Sequence, residues 1–355
     1  MKLFIPTNVQ DIKTLCIYHR VDMDGKCSGA IINYLYKKIS KPNMSNKIWF
    51  IGCNYEKDFS IDEILAAFPN VRSVYIVDYS IEPDEALKLI DNNIDVVWCD
   101  HHKTAIEKYE NHPEFCEDMS LKDDEHIKSF KVKNRDDSLF WGVTSYKYSG
   151  AKLVYLSLLP TLMQVVHDNQ ILATMSTVVD LVSIYDTWDH SDLERWDTAY
   201  LFNNATKLYD LHPTKDMWDV IFEDPETIKK MLSEGSIVIK IHDIQNKITA
   251  DAYSGTLMWE GLRFCTINKL GNSNIVNSTF NPDIHDAVLL YMYSPKENMY
   301  KISMYSHDKL PDYRKEELDL STIATKYGGG GHKLACGFAC EDLPFDIHSI
   351  KPISK

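Results

Sequence analysis

Leu15-Cys16-Ile17-Tyr18-His19-Arg20-Val21-Asp22-Met23-Asp24-Gly25 is the stretch from which the fold is read. Its first four residues have the composition of a buried strand, and the run opens directly onto a histidine, two aspartates and a glycine. Residues 26–38 then carry a helical pattern, so strand, acidic turn and helix succeed one another as the first unit of an α/β layer. The alternation continues downstream. Residues 48–52 read as a strand and 61–68 as a helix, 74–77 as a strand with a helix around 84–91, and 94–99 as a further strand. The expected fold class is α/β, with a parallel sheet in the N-terminal domain.

The strand ends repeat a chemical theme. The third strand stops at Asp78, and the fourth at Asp100-His101-His102. In open parallel sheets the ligand crevice lies beyond the carboxyl ends of the strands, so this topology gathers Asp22, Asp24, Asp78 and Asp100 with His19, His101 and His102 at one edge. A single aspartate after a strand is commonly a cap or turn residue. Three strand ends terminating in Asp or His are not explained that way. So many carboxylates repel one another unless cations join them, and a mixed carboxylate and imidazole set suits Mn²⁺, with Zn²⁺, Co²⁺ and Fe²⁺ as chemical alternatives and Mg²⁺ disfavoured.

Bulk composition narrows the functional classes. With 355 residues, 44% of them apolar and 25% charged, the chain is long enough for two globular domains. Eight cysteines lie far apart, without the density of a secreted disulfide scaffold, and are expected to be reduced. A net charge of −14 disfavours non-specific attraction to long polyanions and makes a duplex-DNA binder an unsuitable reading. Residues 1–10 lack a basic region followed by an apolar core, and no apolar run approaches membrane-spanning length, so the cytoplasm is the expected compartment and no membrane partner is expected.

Beyond an irregular, charged stretch at 107–137, Ser149 is placed to cap a helix running to Leu159 that Pro160 helps to end, and more helix follows over 163–183. Residues 210–224 are polar and precede a helix beginning near Glu226. From about Gly255 strand-like runs return (262–267, 287–293, 300–305), followed by a helix at 321–327. The expected organisation is a catalytic domain at 1–210, a connector and linking helix at 211–250, and a smaller α/β domain at 251–355. That last domain contains Gly328-Gly329-Gly330-Gly331-His332-Lys333, where side-chain-free backbone can bring N–H groups close to phosphate oxygens, with His332 and Lys333 as further donors.

In order and approximate spacing, the Asp-x-Asp at Asp22 and Asp24, the lone Asp78, and Asp100-His101-His102 resemble the motifs of the DHH phosphoesterase family. The Gly-rich segment and the following Ala335-Cys336-Gly337-Phe338 resemble the signature of the domain commonly attached to it, so the resemblance covers nearly the whole chain. Within the family the chain looks most like the nanoRNases, especially the B-type oligoribonucleases, in its acidic balance and its Tyr185-Asp186-Thr187-Trp188 segment. The resemblance implies two metal ions, the first held by His19, Asp22 and Asp78, the second by Asp24, Asp78, His101 and Asp186. It implies that Asp100 orients a histidine and that His102 meets the scissile phosphate or assists proton transfer, while Gly329, Gly330, Gly331, His332 and Lys333 bind substrate. Both Asp180 and Asp186 fall where the family's last aspartate is expected, and the Tyr-Asp-Thr-Trp context favours Asp186. His19 stands three residues before Asp22, where close relatives often have the histidine four before, and Ser303-Met304-Tyr305-Ser306 falls where many relatives have an arginine.

The expected activity is a two-metal phosphodiesterase that hydrolyses short single-stranded oligonucleotides to nucleoside monophosphates with water as nucleophile. Cyclic or linear dinucleotides and 3′-phosphoadenosine 5′-phosphate are the alternatives within the enzyme class, and a nucleotide sensor without catalysis is the alternative outside it. Self-association into a homodimer stays open. Tyr146, Tyr148, Trp188 and Tyr305 are candidate stacking residues, each more often core or surface filler. Trp98 reads as core, Ser28 and Cys27 as helix-start residues, and Lys103 and Arg20 as charges flanking the site.

Overall fold

The structure is a computed structural model that describes residues 6–39, 47–54, 60–118, 124–133 and 139–353. The chain divides into two compact units, Met1–Val238 and Ile239–Lys355.

The N-terminal unit runs β1 (Ile12–His19), α1 (Met23–Ile39), β2 (Lys47–Cys53), α2 (Ile61–Ala67), β3 (Ser73–Val77), α3 (Pro83–Asp91), β4 (Asp95–Asp100), α4 (Lys103–Glu110), β5 (Phe115–Glu117), β6 (Lys128–Val132), β7 (Phe140–Thr144), α5 (Gly150–Val165), α6 (Asn169–Asp186), α7 (Leu193–Thr206), α8 (Met217–Glu223) and α9 (Pro225–Tyr253), the last continuing across the division. Its sheet has the order β2-β1-β3-β4-β7-β6-β5. The first five strands pair in parallel, and β6 and β5 add antiparallel at the edge. Successive residues of β1 point to opposite faces: Leu15 and Ile17 join a core with α2, α3 and α4, whereas Cys16 and Tyr18 join one with α1, α5 and α6. Helices on both faces explain why the strand runs are almost continuously apolar. Trp98 is fully buried and stacks on Tyr109, as expected of core.

Two local expectations are corrected. Residues 107–137 are not simply irregular, since they include the second half of α4 together with β5 and β6, and residues 119–123 and 134–138 lie outside the described residues. A charged, short edge strand has only one partner and shows little apolar signature. Pro160 does not end α5, which runs on to Val165. Proline removes one backbone hydrogen bond, but Pro160 is exposed while Leu158 and Leu162 are anchored in the core on either side of it. In the stretch before α9, Leu211, Trp218, Ile221 and Phe222 lie in the core of the N-terminal unit.

The C-terminal unit contains β8 (Gly255–Trp259), β9 (Leu262–Ile267), β10 (Ala287–Ser294), β11 (Met299–Tyr305), α10 (Asp312–Glu317), α11 (Leu320–Lys326), β12 (Gly330–His332), β13 (Ala335–Cys340) and β14 (Lys351–Pro352). They form a second mixed sheet, β12-β13-β11-β10-β9-β8-β14, with its own apolar clusters around Leu257, Phe264, Leu289 and Phe338 and around Cys265, Phe280 and Val288. The molecule is thus α/β in both units. No helix among the described residues is long and apolar enough to cross a membrane.

Candidate metal centre

The parallel order β1-β3-β4 brings the carboxyl ends of three strands side by side. Tyr18 pairs with Val77, and Val77 with Cys99, so His19, Asp78 and Asp100 leave adjacent strands at the same level. Asp22 and Asp24 follow at the start of α1, where the Asp22 carboxylate accepts the Gly25 N–H at 3.0 Å. Helix α1 approaches β1 so closely that a Cβ on Gly25 would sit 2.0 Å from the His19 carbonyl oxygen. Glycine therefore permits the turn that carries the Asp-x-Asp.

Asp78 is the centre of the arrangement. Its side chain is 1% exposed, and neither carboxylate oxygen has a hydrogen-bond partner among the described residues. Its nearest charged neighbours are His101 Nε2 at 3.2 Å from Oδ1 and His19 Nδ1 at 3.6 Å from Oδ2. Burial first, then the neighbouring Asp24, pushes the Asp78 carboxyl well above the usual carboxylate range. Three overlapping groups could hold metal ions: His19, Asp22 and Asp78; Asp24, His101 and Asp186; and Asp78, Asp100, His101 and His102. A buried carboxylate with two unused oxygens, shared between groups of mixed oxygen and nitrogen donors, fits a pair of divalent transition ions.

The flanking groups are held in distinct ways. His19 Nδ1 is 2.6 Å from Asp22 Oδ2; burial works against the charged imidazole, but the carboxylates of Asp22 and Asp78 beside it outweigh burial and raise its pKa to about 10. Asp24 accepts backbone N–H groups from Gly150 at 2.7 Å and Ala151 at 2.9 Å, at the start of α5. Asp186 closes the last turn of α6 with Oδ2 3.2 Å from His101 Nε2, and burial and then Asp24 raise its pKa to about 7. Asp180, by contrast, forms an ion pair with Lys152 at 2.5 Å.

Asp100 is completely buried and organises its own neighbours. Its Oδ1 accepts the His101 N–H at 2.8 Å and lies 2.7 Å from His102 Nδ1, and its Oδ2 accepts the Ser80 hydroxyl, which in turn receives the Trp98 indole N–H at 3.0 Å. Burial opposes ionisation of Asp100, yet the hydrogen bonds with His102 and Ser80 bring its pKa below the ordinary value. Ser80, Gly150 and Ala151 escaped the sequence reading. They come from other segments of the chain and belong to no motif; the sole signal was Ser149, which caps α5 by accepting the Lys152 N–H.

The remaining sequence-predicted residues are placed as follows. Gly330, Gly331 and His332 form the exposed edge strand β12 of the C-terminal unit, Gly329 precedes it, and the exposed Lys333 donates to the Glu316 carbonyl. Arg20 donates to the Gly52 carbonyl at 3.1 Å, and Lys103 pairs with Glu107 at 3.7 Å. Ser28 and Cys27 are buried in α1, Tyr148 donates to Asp124, and Tyr305 pairs with Ala335 in the sheet. Tyr146 and Trp188 are exposed.

No protein-family model matches the chain. It is 23% identical over 344 residues to an uncharacterised protein of Acanthamoeba polyphaga mimivirus, covering 95% of this chain and 70% of that one. Among solved structures, it is similar to the DHH domain of a protein described as a member of a family of ribosomal proteins, with a TM-score of 0.52 and 14% identity over 94% of this chain and 83% of that one. A pGpG-specific phosphodiesterase from Vibrio cholerae aligns over 92% of this chain and 93% of its own at 12% identity, with a TM-score of 0.34. The chain is built on the DHH-domain fold, and the carboxylates and imidazoles at its sheet edge form a cluster able to hold metal ions.

Proposed function

We propose that this protein is a metal-dependent phosphodiesterase that hydrolyses short single-stranded oligonucleotides to nucleoside monophosphates. The observation that carries the reading is Asp78, a buried carboxylate with two unpartnered oxygens that is shared by two of the three candidate ligand groups, the third being joined to them through His101. His19, Asp22 and Asp78 would hold one divalent ion, and Asp24, Asp78, His101 and Asp186 the second, with Mn²⁺ the preferred ion for this donor set. When bound, such ions supply Lewis acidity toward phosphoryl oxygens and lower the pKa of an attacking water.

The protein's own groups do the rest. Asp100 holds the His102 imidazole through Nδ1, leaving Nε2 to hydrogen-bond a phosphoryl oxygen or to protonate the departing alcohol. The glycine amides of 329–331, with His332 and Lys333, would bind the far end of the substrate, which favours short chains. Cyclic or linear dinucleotides present the same phosphodiester bond to the same groups, and 3′-phosphoadenosine 5′-phosphate presents a phosphomonoester that the same pair of ions could activate. The net charge of −14 supports a small substrate over a long polyanion.

The test is hydrolysis by the full chain with Mn²⁺ of oligoribonucleotides of two to five units, the two dinucleotide classes, 3′-phosphoadenosine 5′-phosphate, and a long single strand. Turnover of the short substrates is expected, with Asp24→Ala and His101→Ala lowering kcat at least a hundredfold while the circular dichroism spectrum is kept. Activity confined to the long strand overturns the short-substrate reading. Nucleotide binding without any hydrolysis overturns the enzyme reading in favour of a sensor.

A further inference from the structure

One wall of the metal centre continues into a cleft of about 480 Å³, within the size range of small-ligand sites. Asp22, Asp24 and Asp186 line its inner side, and Lys26, Asn203 and Lys207 are among its other lining residues. Other lysines of this unit have carboxylate partners. Further along α1, Lys37 is paired with Asp216 and Asp219 and Lys38 with Glu223, and Lys152 on α5 is paired with Asp180. Neither Lys26 nor Lys207 is ion-paired with a carboxylate among the described residues; Lys207 Nζ donates only to the neutral Asn204 amide oxygen, at 2.8 Å. Burial, with no carboxylate to offset it, lowers the Lys207 pKa.

The carboxylates across the cleft are not available as partners for these ammonium groups. Asp24 accepts two backbone N–H groups at the start of α5, Asp22 is engaged by His19 and Gly25, and Asp186 faces His101. Two lysines without ion-pair partners in a small cleft beside the proposed phosphodiester-cleaving centre suit an anion of the substrate itself. Lysine ammonium groups bind phosphate as compact point charges, and each such charge-assisted contact is stronger than a neutral one.

We propose that this cleft is a second phosphate subsite, in which Lys26 and Lys207 bind a non-scissile phosphate of the substrate. The inference rests on the phosphodiesterase reading above and deepens it: the substrate class becomes oligonucleotides that carry a phosphate beyond the one being cleaved. Such a site rewards a terminally phosphorylated dinucleotide over its unphosphorylated counterpart, and it retains a nucleoside monophosphate product. Asn203 lies on the same wall and supplies an amide for the attached sugar or base.

The experiment compares wild type with Lys26→Met, Lys207→Met and the double variant, all as full chains with Mn²⁺. Methionine keeps much of the stem and removes the charge. With a 5′-phosphorylated dinucleotide and the same dinucleotide lacking that phosphate, wild type is expected to favour the phosphorylated form at least tenfold in kcat/KM. The double variant is expected to lose that preference through a drop on the phosphorylated form alone, staying within twofold on the other. Equal losses on both substrates, or no change on either, overturn the subsite.

Calorimetric titration with adenosine 5′-monophosphate and with inorganic phosphate separates this inference from the reading beneath it. Weakening of at least tenfold in the double variant for the nucleotide, with Mn²⁺ affinity unchanged, supports the subsite even if wild type hydrolyses nothing, a result that would sink the hydrolase reading alone. If inorganic phosphate shows the same dependence, the subsite recognises the phosphate itself. Nucleotide binding that ignores both lysines overturns the subsite even in an active enzyme.

Discussion

Gly150 shows how much of the site is set by a residue with no functional group. It begins α5, donates its N–H to Asp24, and approaches Asp78 so closely that a Cβ would lie 2.6 Å from the Asp78 Cβ and 2.9 Å from its Cα. Asp78 itself has a left-handed backbone, φ 50°, a conformation that aspartate adopts more readily than most residues and that its N–H bond to the Cys99 carbonyl, at 2.8 Å, helps to fix. Neither backbone has room to move without opening the cluster. Gly150→Ala is therefore expected to cost about 1–3 kcal/mol in denaturant unfolding and to weaken Mn²⁺ binding at least tenfold. An alanine variant with wild-type stability and wild-type Mn²⁺ affinity would show that the close approach does not shape the site.

Among the elements, α6 separates the two aspartates that the sequence left as alternatives. The six-residue interval puts Asp186 in the last turn, beside His101, and Asp180 in the body of the helix, where it is tied to Lys152 of α5. The partly exposed pair with Lys152 contributes little to stability, on the order of 0–1 kcal/mol for such pairs. Asp180→Asn is expected to keep Mn²⁺-dependent hydrolysis within threefold of wild type, whereas Asp186→Asn is expected to reduce it at least a hundredfold; kcat/KM on a dinucleotide measures both, and the reverse ranking would reassign the fourth carboxylate. The βα units were legible because a doubly covered strand such as 74–77 is an unbroken apolar run and because Asp78 marks its end, as Asp100-His101-His102 mark that of β4. The contribution of α5 was not legible, since backbone amides carry no side-chain signature and Pro160 pointed to a shorter helix. Ser80 was hidden for a related reason, as its bond to Asp100 joins two strand-end loops that only the sheet order makes adjacent.

At the scale of the whole molecule, the two units carry separate cores and opposite sensitivities. The N-terminal unit concentrates carboxylates that a divalent ion would neutralise, so a saturating ion stabilises it by RT ln(1 + [L]/Kd), about 2.7 kcal/mol at a hundredfold excess over Kd. The C-terminal unit contains no such cluster among its described residues, but it buries two neutral imidazoles, His285 and His307. Each accepts a backbone N–H at Nδ1, from Asn281 and Lys309 respectively at 3.1 Å, and His307 also stacks flat on Phe280. Burial is the main cause that lowers both to about 4 from an ordinary value of 6.5. As pH falls below 6.5 the unfolded chain binds protons before the folded unit does, so their contribution to stability is intact above 6.5 and declines until about 4, by about 2 kcal/mol per imidazole at pH 5. Scanning calorimetry is expected to resolve two transitions. Adding EDTA to the Mn²⁺-loaded protein at pH 7.5 should lower the transition of the N-terminal unit and leave the other in place, whereas shifting from pH 7.5 to 5 in EDTA should lower that of the C-terminal unit. His307→Gln should reduce the pH dependence of the latter transition, because glutamine keeps a polar group near the Lys309 N–H without taking up a proton. A C-terminal transition indifferent to pH over this range would show that the two imidazoles are protonated in the folded unit.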